Sequence, residues 1–151
     1  MNVRRIRRPK DQEEKYKELV NMEEFGIFLT YKDIFMTAGT LGFMEKKRKA
    51  FTGSAEGIPW NVFSLSTDEA IINSIALAET NDITILSEEQ FDMKLTIFEE
   101  YAAGGLELLY NRLMENPKQA LNTYFNMIVK MEKEEDEKTR NLKGIADMLS
   151  F

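Results

Sequence analysis

The side chains best suited to chemistry in this 151-residue chain are carboxylates: Glu79 and Asp82, then Glu88, Glu89 and Asp92, then Glu99 and Glu100. Hard cations such as Mg²⁺ take oxygen ligands, so a carboxylate-only magnesium site is the first chemistry to weigh. Glu88, Glu89 and Asp92, however, stand where a helix begins, and the helix dipole favours acids there without any metal. Glu99 and Glu100 are adjacent and read as lying off the apolar face of their helix. The triplet Asp136, Glu137, Lys138 matches half of a D/E-x-K nuclease motif, but no strand precedes it to hold carboxylates at metal-binding geometry. No catalytic residue, metal ligand or cofactor site is expected from this set.

Zero cysteines exclude disulfides, thiol nucleophiles and thiolate zinc sites, and zero histidines remove the usual general base and the commonest metal ligand. Catalysis would have to rest on carboxylates, Lys, Tyr, Ser or Thr.

Phosphate contact is the second chemistry on offer. Arg4, Arg5, Arg7 and Arg8 crowd the first ten residues, and Lys46, Lys47, Arg48 and Lys49 follow in an unbroken run. Guanidinium groups match phosphate oxygens with paired N–H donors, and a basic arm gains affinity by releasing counterions. The net charge is −6, and outside residues 1–10 and 45–49 the chain sums to −14. Such a body repels polyanions at long range, while short basic segments still act within a Debye length, about 8 Å at physiological salt. The structural alternatives are a tail paired with the acidic body and, for residues 46–49, cations that complement the end of a helix dipole. GSAEGIPW, residues 53–60, lacks the spacing of a phosphate loop. Its Trp60 reads as an anchor that pins the loop to the core.

The elements that must position these residues are helices. Pro9 disfavours helix at Arg8, so residues 1–9 read as an extended basic arm. A surface helix is expected from about Pro9 or Lys10 to Glu24, with a thin stripe of Tyr16, Leu19, Val20 and Glu23. Thr30 with Asp33, Ser66 with Glu69, Ser87 with Gln90, and Asn116 with Pro117 and Gln119 are four helix-start signals. The second of these opens IINSIALAE, apolar nearly all round and therefore expected to be the buried central helix. Gly39 and Gly42 invite close packing, and Gly104-Gly105 predicts a kink or break. Val62 to Leu65 and Ile83 to Leu86 are β-prone and predict a minor two-stranded ribbon.

The whole reads as mainly α: a single-domain compact bundle of five to six helices over residues 10–132. A charged segment and a short amphipathic tail follow over 133–151, with Leu142, Ile145, Met148 and Leu149 able to fold back or bind another copy. No apolar run reaches the roughly 18 residues of a membrane span. The start MNVRRIRRPK has no apolar stretch behind it, so a soluble, cytoplasmic protein is expected.

Taken in order, RIRRPK, FGIFLTYKDIFMTAGTLGF, GIPW, AIINSIALAETNDITIL and FEEYAAGGLELL form a succession over about residues 4 to 113. It resembles the DNA phosphorothioation (Dnd) system-associated protein 4 family. The resemblance implies an accessory role beside enzymes that put sulfur into the DNA backbone of self DNA and restrict unmodified DNA, a form of antiviral defence. It implies other proteins of that system as partners and carries no catalytic motif. Two readings remain open: a non-enzymatic accessory subunit that meets DNA phosphates through Arg4, Arg5, Arg7, Arg8 and Lys46 to Lys49, or a helical adaptor or homo-oligomer without nucleic-acid binding. A carboxylate-dependent nuclease is the third and least supported.

Overall fold

The computed structural model describes residues 4–149 apart from residues 22 and 25, with side chains as far as Glu134. Among the described residues five α-helices follow one another: α1 Glu13–Val20, α2 Tyr31–Met44, α3 Asp68–Thr80, α4 Phe91–Met114 and α5 Ala120–Leu149. Contacts divide the chain into residues 1–112 and residues 113–151.

In the first unit the apolar stripes of α1, α2 and α4 supply the core. Helix α1 is entered through a 3-10 turn at Lys10–Gln12 and stops at Val20, shorter than the stripe suggests. The chain folds back at once, with the Gly26 N–H donating to the Asn21 carbonyl (2.9 Å) and the Phe28 N–H to that of Leu19 (3.0 Å). Leu19 and Tyr16 are both buried, so α1 is a core element rather than a surface one. Helix α2 starts as its capping signal predicts: Thr30 Oγ1 accepts the Asp33 N–H at 3.1 Å. Its Phe35 ring meets Phe98 of α4 at 5.2 Å and Phe63 at 5.9 Å between centroids. Burying one such ring contributes about 1.5–3 kcal/mol.

The central helix is α4, not α3. Leu95, Phe98, Ala102, Leu106 and Leu109 are buried along it, whereas α3 leaves Ile71 and Leu77 exposed. Gly104-Gly105 causes no break, because α4 runs unbroken for 24 residues. The glycines serve packing instead. A Cβ on Gly105 would fall into the Ala38 carbonyl of α2, close to the Gly42 N–H, so the two helix backbones touch there.

The β-ribbon does not form. Residues 60–62 and 83–86 are 3-10 turns, and the second is set by Asp82, whose Oδ1 accepts the Thr84 N–H at 3.0 Å. A local side-chain acceptor of this kind competes with strand pairing. The start of α3 is also displaced from expectation: Ser64 rather than Ser66 supplies the accepting hydroxyl, taking the Asp68 N–H at 3.1 Å.

The second unit begins with the last two residues of α4 and continues through a 3-10 turn at Pro117–Gln119 into α5. Pro117 lacks the N–H that a first helical position leaves unpaired, which suits it to that start. Helix α5 continues through the charged residues 132–138 without interruption to Leu149. The side chains expected to make a fold-back stripe, Leu142, Ile145, Met148 and Leu149, lie outside the described residues. No helix among the described residues is long and apolar enough to cross a membrane.

Candidate interaction surface

Residues 4–9 are extended, but they do not project. They lie antiparallel beside residues 53–58, with Ile6 and Ile58 exchanging backbone hydrogen bonds of 2.8 and 3.0 Å and both side chains buried. What draws a cationic segment onto the body is Glu99 of α4, which is fully buried. Its carboxylate accepts from Arg4 Nη1 (2.7 Å) and Nη2 (3.0 Å) and from the Arg7 backbone N–H (2.5 Å). The Arg7 guanidinium is 3.6 Å away and also faces the Phe51 ring. Arg4 reaches Asp92 as well, at 3.1 Å. Burial works against the Arg4 cation, and Glu99 and Asp92 outweigh it, so its pKa is raised.

Arg8 is buried outright. Its guanidinium lies 4.5 Å from the Tyr16 ring and 4.6 Å from that of Tyr31, donates to the Glu56 carbonyl (2.8 Å) and pairs with Glu13 (2.7 Å). Burial pushes the Tyr16 hydroxyl well above the ordinary tyrosine range. Arg5 is exposed and donates to the Gly57 carbonyl at 2.8 Å.

The second basic run follows α2 through a Schellman-type end, in which Lys46 takes the left-handed conformation (φ 57°) and the Lys47 N–H returns to the Gly42 carbonyl at 2.8 Å. Residues 47–49 then lie on α4. Gly104 permits this, since a Cβ there would occupy the position of the Lys47 carbonyl, and the Lys49 N–H donates to the Glu100 carbonyl at 2.9 Å. Arg48 joins Glu79 and Glu100, each at 2.8 Å, and Lys49 Nζ reaches Glu107 at 2.6 Å. Burial opposes the Arg48 cation, but its two carboxylates hold the pKa up; for Lys49 the Glu107 hydrogen bond does so. Tyr101 donates its hydroxyl to Glu79, and burial together with that carboxylate pushes its pKa up to about 12. Lys46 and Lys47 are exposed.

The two basic segments therefore meet the same helix on neighbouring faces, one on Glu99 and one on Glu100, residues about 100° apart around an α-helix. Of the eight cations, Arg4, Arg7, Arg8, Arg48 and Lys49 pair with carboxylates of other segments, leaving the exposed Arg5, Lys46 and Lys47 without an ion pair among the described residues. The carboxylates have structural uses too: Glu79, Asp92, Glu99 and Glu100 pair with arginines, and Asp82 sets a turn. No three acidic side chains converge on a metal-sized space among the described residues.

Glu99 was misplaced by its neighbour. Read alone it continues the spacing Leu95, Glu99, Ala102, Leu106, Leu109, which is the buried stripe of α4. Trp60 does anchor its loop: it stacks on Phe63 at 5.1 Å and meets the edge of Phe91 at 5.3 Å. Beside that loop is a groove of about 470 Å³ lined by Thr30, Tyr31, Asp33, Ile58, Pro59 and Val62. Leu29 and Leu65, in the segments that bear Thr30 and Val62, are 77% and 75% exposed.

These features define a helical protein in which five of the eight cations of the two basic runs pair with carboxylates of its own helices. Residues 5–146 match the family described as DNA sulphur modification system-associated protein 4, and the chain belongs to that family. The match takes in most of α5, which the succession of motifs left outside. No curated protein and no solved structure matches the chain.

Proposed function

We propose that this protein is a non-enzymatic accessory subunit of a DNA sulphur modification system and acts by docking another protein of that system. The observation that carries the reading is the pairing of Arg4, Arg7, Arg8, Arg48 and Lys49, which commits five of the eight cations of the two basic runs to the protein's own carboxylates. The groove beside Val62, with Leu29 and Leu65 exposed near it in sequence, supplies apolar surface for a protein partner. On this reading the protein serves restriction of unmodified DNA, and so antiviral defence, from the cytoplasm.

A second reading, backbone contact with DNA, keeps support from the exposed Arg5, Lys46 and Lys47. Binding of the purified chain to each purified protein of its own modification system, by calorimetry, tests the first. Val62→Glu and Leu65→Glu, both at exposed positions, are expected to abolish the complex while leaving helicity unchanged. Complex formation that survives both substitutions, or strong duplex binding in the absence of any protein partner, overturns it.

A further inference from the structure

We propose that α5 pairs antiparallel with α5 of a second copy of this chain. The helix has 30 residues, about 45 Å at 1.5 Å per residue. Among the described residues it is the one α-helix that lies wholly within residues 113–151. Near its start Leu121 and Phe125 are 65% and 64% exposed.

The sequence of α5 follows a heptad. Ile128 and Met131, then Leu142 and Ile145, occupy core positions at alternating three- and four-residue spacing, and Glu135 and Lys138 fill the two core positions between them. This order is complementary to its own reverse. With the two-fold axis between positions 136 and 137, Glu135 stands opposite Lys138 of the second copy, Met131 opposite Leu142, and Ile128 opposite Ile145. A parallel pair in the same heptad would set Glu135 against Glu135 and Lys138 against Lys138. Polar residues at core positions fix register and orientation in coiled coils, and here they select the antiparallel arrangement. The pairing uses residues 113–151 alone and is independent of the docking partner proposed above.

Light scattering on the full chain over a concentration series is expected to give twice the chain mass. Glu135→Lys and Lys138→Glu, each alone, place like charges opposite one another and should weaken the dimer at least about tenfold in Kd. The double variant Glu135→Lys/Lys138→Glu restores the opposite charges and the affinity. Circular dichroism on each variant confirms that the helices are retained.

Orientation is read by crosslinking, because the chain has no cysteine. Chains with Ile128→Cys mixed with chains with Ile145→Cys should oxidise to a crosslinked pair. Ile128→Cys alone should not, since its two copies lie about 26 Å apart along the axis. A monomer at every concentration, a dimer indifferent to both single charge reversals, or crosslinking of Ile128→Cys with itself overturns the proposal.

Discussion

Glu99 accepts from two arginines and one backbone amide in a fully buried position, so loss of its carboxylate strands several donors at once. Breaking a buried pair costs about 3–5 kcal/mol. Because Arg4 and Arg7 keep some access to water, Glu99→Ala is expected at the low end, about 3 kcal/mol by urea denaturation. Glu99→Gln retains shape and one acceptor and should lose roughly half of that. Equal losses for the two variants would assign the effect to packing instead. Asp68 offers a pH-dependent counterpart. Burial pushes its carboxyl up, but the Ser64 N–H and Lys32 Nζ, each at 2.9 Å from Oδ2, outweigh burial and hold it below the ordinary value. Its contribution is therefore complete above the unfolded pKa, about 3.9, and is lost as pH falls through the lower folded value. The stability gap between the native chain and Asp68→Asn, wide at pH 7, should close below about pH 4. A gap that stays constant down to pH 2.5 would contradict this.

At the scale of elements, signals that act within one turn were legible and those that depend on a neighbouring backbone were not. Thr30 caps α2 because both partners lie three residues apart, whereas the cap of α3 moved to Ser64, whose loop is held by the Asp68 pair with Lys32. Gly104-Gly105 looks like a helix breaker by propensity alone. Its use appears only when α2 and the 47–49 segment are in place against α4. Gly105→Ala separates the two accounts by sign. Propensity predicts a gain of about 1 kcal/mol, while the collision with the Ala38 carbonyl predicts a net loss of about 1–3 kcal/mol, read as a lower Tm. Gly53→Ala is the control, since a Cβ there meets only the Lys10 side chain at 3.8 Å, and it should be close to neutral.

At the scale of the molecule, the helical class and the family were open to a reader of the sequence, because apolar periodicity and the order of motifs survive without coordinates. The fate of the cations was not, since a run such as residues 46–49 looks alike whether it faces open solvent or a part-buried carboxylate about 50 residues away. That fate has a measurable consequence. Each phosphate contact lowers the log–log dependence of DNA affinity on salt by about 0.9, so eight contacting cations would give a slope near −7. Arg5, Lys46 and Lys47 alone allow a slope no steeper than about −3, on a body of net charge −6 that repels the duplex. Fluorescence anisotropy with a duplex between 20 and 200 mM NaCl should therefore show weak binding with a shallow slope. Arg5→Glu/Lys46→Glu/Lys47→Glu should abolish it at a small cost in Tm, limited to the loss of the exposed Arg5 hydrogen bond to the Gly57 carbonyl, because the three side chains are exposed and make no ion pair among the described residues. A slope near −7 would mean that residues 4–8 leave Glu99 to meet DNA, and the protein would then be a switch rather than a braced adaptor.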